Sequence, residues 1–494
     1  MKRTIRPLHA TALLAASVFL SAAAASAQEA APLDVTYKPV ADKLIAASLE
    51  DGDGYANLTY LCDHIGKRIS GSEPLARAIA WSEALMKKEG LANVHTQPAT
   101  VEHWVRGAES AEIITPIARP LHMLGLGMSV GTPPAGITAE IVVVPDFAAL
   151  DKLGKAGVQG KIVVFNAPYK GYGQTVMYRV AGATRAEALG AVAVLVRSIT
   201  PLAAQLPHTG TSAFTGAPAK IPSAAISIED ATMLDRMQAE GTPIKVHLRM
   251  QAHLEAPVVS ANVIGEIVGS EHPEQVVVLG GHIDSWDVGQ GAQDDGSGIM
   301  GTLAAVNVIK KMGLHPKRTI RVVFWVNEEN GGAGGIAYRK GLSASELANH
   351  VAAIEMDGGA EAPVGYGFGV SGSPRRLKPG ETPSTTPPVL TPGEEHSLVM
   401  LRQIASLLTP VGADKIKQGG GGSDIEPLMM DGVPSLGETT TGAHYFDWHH
   451  TEADTLDKVD PQDFRKNVAS LAVMSYILAD MPERLTGHKG AGEE

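Results

Sequence analysis

Cysteine is almost absent from this chain: Cys62 is the only one. A single thiol cannot close an intrachain disulfide, and a zinc site built on thiolates is excluded. Any metal must therefore rest on His, Asp and Glu. Aromatic side chains are scarce at 5%, while glycine alone numbers 54; such small residues suit α/β layers with closely packed helices. Past the N-terminus no apolar run approaches the roughly 20 residues of a bilayer span. Positive charge is short as well. The 41 basic side chains face 53 acidic ones, a net −12, which argues against nucleic acid and anionic membranes as partners. No Ser, His and Asp set carries a nucleophile motif. Gly419–Gly422 lacks the Lys-Ser/Thr of a phosphate loop, and Gly289-Gln-Gly291 meets Asp294 where a dinucleotide loop needs its third glycine. No tandem repeat or heptad array is visible.

What is present begins with an export signature. Lys2, Arg3 and Arg6 precede the apolar stretch from Ala10 to Leu20, and Ala25-Ser26-Ala27 offers small residues for a signal peptidase. Residues 1–27 are therefore expected to be a signal peptide cleaved after about Ala27, giving a soluble periplasmic or secreted protein. Cleavage removes three of the 41 basic residues and no acidic one, leaving 38 against 53 and a net −15.

The remaining length accommodates more than one domain, at roughly 150 residues each. Two helices are expected between Ala56 and Gly90, broken around Ser70-Gly71-Ser72. Between residues 116 and 254, β-rich runs such as Ile141–Val144, Lys161–Phe165 and Ala191–Val196 alternate with helical ones and predict a smaller α/β insert. The flanking segments, 28–115 and 255–494, then make one α/β domain. In it Val276–Leu279, Ile320–Val326 and Val351–Ile354 read as buried strands, with an amphipathic helix over Ser297–Lys311. Continuous apolar strands separated by helices predict a mostly parallel sheet covered on both faces. Residues 372–395 read as a surface loop, Leu398–Leu408 and Val468–Leu478 as helices, and the Gly- and Glu-rich C-terminus as a disordered tail.

Ligands of such sheets bind beyond the carboxyl ends of the strands, and the chemically capable residues fall there. His282 follows the first strand, Glu328 and Glu329 the second, Asp357 the third. Asp294 sits in the Gly-rich turn between Gly289 and Gly296, and His450 lies near the end of the chain. These are oxygen and imidazole donors suited to zinc. Two metals about 3.5–4 Å apart need a bridging ligand, which a carboxylate such as Asp294 can be and a neutral imidazole cannot. Asp284 can accept the other N–H of His282 and fix its tautomer. Glu328 and Glu329 point in opposite directions in an extended segment, so one can bind metal while the other serves as general base. A lone His-x-Asp or Glu-Glu pair is usually a surface feature. Their co-occurrence in this order is what points to a metal-assisted hydrolase.

The motifs resemble those of the co-catalytic di-zinc exopeptidases, nearest the carboxypeptidase Q (plasma glutamate carboxypeptidase) subgroup. They are Gly281-His282-Ile-Asp284-Ser-Trp-Asp-Val-Gly-Gln-Gly-Ala-Gln-Asp294-Asp295-Gly, Asn327-Glu328-Glu329-Asn-Gly-Gly, Glu355-Met-Asp357-Gly, and His449-His450-Thr-Glu-Ala-Asp454-Thr455. The resemblance covers almost the whole mature chain, and residues 116–254 look like a protease-associated insert. It implies one zinc held by His282, Asp294 and Asp357, a second held by Asp294, Glu329 and His450, and Glu328 as general base. It also implies a cis peptide after Asp294, a peptide substrate and a homodimer. The oxyanion or substrate contact is left among His444, Tyr445 and His449. Two other functions compete. A relative that has lost catalysis would only bind, and a glutaminyl cyclase uses the fold with one zinc, for which His282 and Asp357 would be superfluous. The direction of cleavage stays open: Arg375 and Arg376 suit a terminal carboxylate, the many acidic groups a terminal amine, and an unblocked dipeptide is the preferred reading.

Overall fold

The computed structural model describes Met1 and residues 31–212, 221–370 and 389–487. The expected signal peptide, Arg375 and Arg376, and the Gly- and Glu-rich tail lie outside the described residues.

Two eight-stranded sheets organise the chain. The first contains β1 (Ala92–Val101), β2 (Val258–Ile267), β3 (His272–His282), β4 (Arg318–Trp325), β5 (His350–Glu355), β6 (Pro363–Phe368), β7 (Lys415–Gln418) and β8 (Ser435–Thr440). Their spatial order is β1-β2-β4-β3-β5-β8-β6-β7. The centre, β4-β3-β5-β8, is parallel as expected. The flanks are mixed, because β1, β2 and β6 enter antiparallel pairings. The parallel centre is where both faces are covered and the strands are apolar without alternation.

The helix Ser297–Lys311 follows the turn that carries Asp294. Its sequence pattern predicts an amphipathic helix, yet every residue from Ser297 to Ile309 is buried. The long helix Pro461–Asp480 packs over its outer side, so only the terminal lysines reach solvent. The helix expected at Leu398–Leu408 begins earlier, at Pro392, because Thr391 and Glu394 form a reciprocal capping box. Cys62 is buried as a free thiol.

The second sheet takes strands from Glu109–Thr115 to Lys245–Met250 and surrounds its own apolar clusters. Glu109–Thr115 pairs with Lys245–Met250, so this sheet begins ahead of the expected boundary at 116. Trp286, from the loop after β3, lies edge-on to Trp104 in the second sheet's core, with ring centroids 6.3 Å apart. The two layers therefore meet beside the ends of the central strands. Among the described residues, no helix is long and apolar enough to cross a membrane.

Candidate metal centre

The parallel register sets the site. His282 at the end of β3 pairs with Trp325 at the end of β4, and Gly280 pairs with Glu355 at the end of β5. Residues just past these ends, Glu328, Glu329 and Asp357, emerge on the same edge. Asp294 is brought there by its turn. The neighbouring Asp295 accepts the main-chain N–H groups of His282 and Gly298, both at 3.0 Å, which ties the turn to the strand end. Gly281 permits this, since a Cβ there would lie 2.0 Å from an Asp295 oxygen. The peptide between Asp294 and Asp295 is cis.

The far side of the turn is held by Asp454. Its carboxylate accepts the N–H groups of Ala292 (3.1 Å), Gln293 (2.8 Å) and Asp294 (3.2 Å). Arg68, fully buried, donates to the carbonyls of Ile283, Gly66, Gln290 and Gly291 at 2.8–3.0 Å. A guanidinium can satisfy that many acceptors at once, and it locks both ends of the loop from Ile283 to Gly291.

The donors converge on Asp294. Its Oδ1 lies 3.2 Å from His282 Nε2, and its Oδ2 lies 3.1 Å from His450 Nε2. His282 Nε2 is also 3.4 Å from Asp357, and His450 Nε2 is 3.1 Å from Glu329. One carboxylate oxygen thus faces each imidazole. Three buried or half-buried carboxylates at this spacing are costly unless counter-charge lies among them. Burial, and then Asp294, push Glu329 up to about 8. Burial likewise raises Asp357 to about 6. Burial also works to raise Asp294, but the two imidazoles outweigh it and hold that carboxyl well below the usual range. Burial works to lower those imidazoles, and the carboxylates they face raise them despite it.

The donor set fits divalent metal. Asp294 Oδ2 and Glu329 Oε1 are buried without a hydrogen-bond partner, so the 3.1 Å approach of His450 to Asp294 lacks hydrogen-bond alignment. Neutral imidazoles are ligands and cannot balance these carboxylates by themselves; dications do so while leaving them neutral. Among the described residues, three trios have donor atoms within 4.8 Å of one another: His282, Asp294 and Glu329; Asp294, His449 and His450; His282, Asp295 and Asp357. In the last, both Asp295 oxygens already accept main-chain N–H groups.

Four sequence expectations need adjustment or detail. The His282 Nδ1–H is accepted at 2.9 Å by the main-chain carbonyl of Asp284, whereas its carboxylate stands 3.9 Å away. That carboxylate accepts instead from Ser70 (3.0 Å) and from the N–H of Glu328 (3.1 Å). His444 is exposed and bonded to Asp447 at 2.9 Å, turned out of the donor cluster. Tyr445 is buried, and burial followed by the charges of Asp294 and Asp357 raises its hydroxyl. His449 stacks on His450 with centroids 3.5 Å apart and comes within 3.5 Å of Asp294. Of the three contact candidates, Tyr445 and His449 face the cluster.

Sequence reasoning assigned Glu355 no role beyond its place in the Glu355-Met-Asp357-Gly motif, left Asp424 between facing the cleft and capping a helix, and missed Thr211. Glu355 and Asp424 are buried beside each other, with Glu355 accepting the Asp424 N–H at 3.0 Å. Thr211, from the second layer, donates to the carbonyl of Glu329 at 2.6 Å. Thr211 carried no local signal beyond being a loop threonine.

Comparison with known proteins gives the family and the fold. Residues 262–474 match peptidase family M28. Carboxypeptidase Q of Bos taurus is 40% identical over 431 residues, 87% of this chain and 86% of that protein. Among solved structures, a peptidase M28 precursor from Shewanella amazonensis SB2B has a TM-score of 0.83 at 31% identity, covering 93% of this chain and 100% of that one. A zinc aminopeptidase from Bacillus subtilis shares the fold, with a TM-score of 0.63 at 20% identity over 88% of this chain and 97% of that one.

Proposed function

Because the chain belongs to peptidase family M28, as a relative of carboxypeptidase Q, we propose that it is a two-zinc exopeptidase acting on unblocked dipeptides or short peptides. His282, Asp294 and Asp357 would hold one ion, and Asp294, Glu329 and His450 the other. The observation that supports this best is the Asp294 carboxylate, with one oxygen toward each imidazole. When bound, the ions would polarise the scissile carbonyl and make the attacking water more acidic.

The chain's own groups handle orientation and protons. Glu328 is half-buried, and the Asp284 carboxylate accepts its main-chain N–H. It takes the proton of the attacking water and delivers it to the leaving amine. Burial is the main cause that raises Asp284, Asp357, Glu355 and Asp424, and the charge of Glu328 adds to it at each, which marks Glu328 as their close neighbour. This gathering of carboxylates favours a substrate's ammonium end. Residues 116–254 are read as a protease-associated insert, and residues 1–27 as an export signal, so the working compartment is the periplasm or the exterior.

The test is cleavage of end-labelled di- and tripeptides by the zinc-loaded protein, with products read by mass spectrometry. Free dipeptides should be cut, N-acetylated ones should not, and a chelator should abolish turnover. Cleavage only of peptides blocked at both ends would end the exopeptidase reading. Metal loading without turnover on any peptide would favour a binding relative, and a cyclised N-terminal glutamine with one tight zinc would favour the cyclase.

A further inference from the structure

His450 is not supported by its own layer alone. Its backbone is left-handed, with φ of 62°, a region that non-glycine residues seldom adopt. Thr209, in the loop after the strand Ala193–Arg197, grips it at two points. The Thr209 N–H donates to the His450 carbonyl at 3.0 Å, and the Thr209 carbonyl lies 3.3 Å from His450 Nδ1. A carbonyl only accepts, so it holds Nδ1 where that nitrogen carries the hydrogen, the tautomer that leaves Nε2 free for metal.

The carbonyl of Thr209 is itself held. Arg179, on the helix Met177–Ala188, is buried and donates to it at 3.1 Å through Nη1 while Nη2 donates to the Tyr172 hydroxyl at 2.7 Å. The same Nη1 also lies 3.5 Å from His450 Nδ1, so Arg179 touches both the carbonyl and the imidazole that it faces. Gly210 makes room for the guanidinium: a Cβ there would fall 2.2 Å from Nη1, and its φ of +131° disfavours any other residue. Two residues on from Thr209, Thr211 donates to the Glu329 carbonyl at 2.6 Å and to Asn330 Oδ1 at 2.9 Å. The same short segment therefore touches both residues assigned only to the second ion.

We propose that Thr209, Gly210 and Thr211, clamped by Arg179, are the positioning elements of the His450–Glu329 metal position, so that retention of that ion depends on the second layer. Among the described residues the His282 position has no such support: its Nδ1–H ends on the Asp284 carbonyl within its own layer. The inference rests on the two-ion reading above.

Zinc titrations of the full chain test it, with cobalt absorption spectra as a second readout. The wild type should bind two equivalents. Arg179→Met should bind one ion unchanged and the other about 10–100-fold more weakly, the range seen when a ligand's hydrogen-bonding partner is lost. Its titration and cobalt spectrum should follow those of His450→Ala and differ from those of His282→Ala. Thr211→Val, a milder change, should shift the same ion in the same direction, and circular dichroism checks that both variants fold. If both variants keep two ions at wild-type affinity while KM rises, Arg179 is a substrate contact and the proposal is overturned. Equal weakening of both ions in folded variants also overturns it. Fewer than two equivalents in the wild type would remove the two-ion reading itself.

Discussion

A Glu328→Gln protein is expected to bind both zinc equivalents and to turn over about 10²–10⁴-fold more slowly. The amide keeps the size and the main-chain geometry of the glutamate, including the N–H accepted by Asp284 at 3.1 Å. It cannot accept a proton from water. Metal content should be unaffected because the side chain that approaches His450 is Glu329, at 3.1 Å. Measurement of kcat beside zinc content by mass spectrometry separates the two residues. Loss of an ion together with activity would mean that Glu328 and Glu329 have exchanged roles.

Asp294→Ala is expected to release both ions and bring turnover to background. Each of the other two proposed carboxylate ligands faces one imidazole, but Asp294 faces both, at 3.2 Å and 3.1 Å. The turn itself should survive, since Asp454 holds the main-chain N–H groups of residues 292–294 and does not need the Asp294 side chain. Glu329→Ala is the comparison, with loss of one ion only. Equilibrium dialysis against buffered zinc reads both variants, and full-affinity retention of one ion by Asp294→Ala would remove its bridging role.

The central strands and their terminal residues are legible in the chain because each strand is an uninterrupted apolar run and each candidate follows at once. Burial on both faces writes that pattern directly into the residues. β1 is not legible: His95, Gln97 and Pro98 make it polar, and as an edge strand it tolerates a proline. The buried outer side of Ser297–Lys311 is hidden for a different reason. Its second partner, Pro461–Asp480, lies far along the chain, and local periodicity records only that a face is apolar.

The site shows the same division. Spacing locates Asp284, but the chain turns after His282, so the residue presents its carbonyl to the imidazole and its carboxylate to Glu328. The partnership of Thr209 with His450 has no local trace. Leu-Pro-His-Thr-Gly reads as a loop, and only the packing of one layer against the other brings it to His450. Chemistry-bearing side chains at strand ends announce themselves; the groups that orient them do not.

The most direct test of the account is an anomalous difference map at the zinc edge from crystals of the metal-loaded protein. The account predicts two peaks, both touching Asp294, one bordered by His282 and Asp357 and the other by Glu329 and His450. A single peak, or a pair that does not share Asp294, would contradict it.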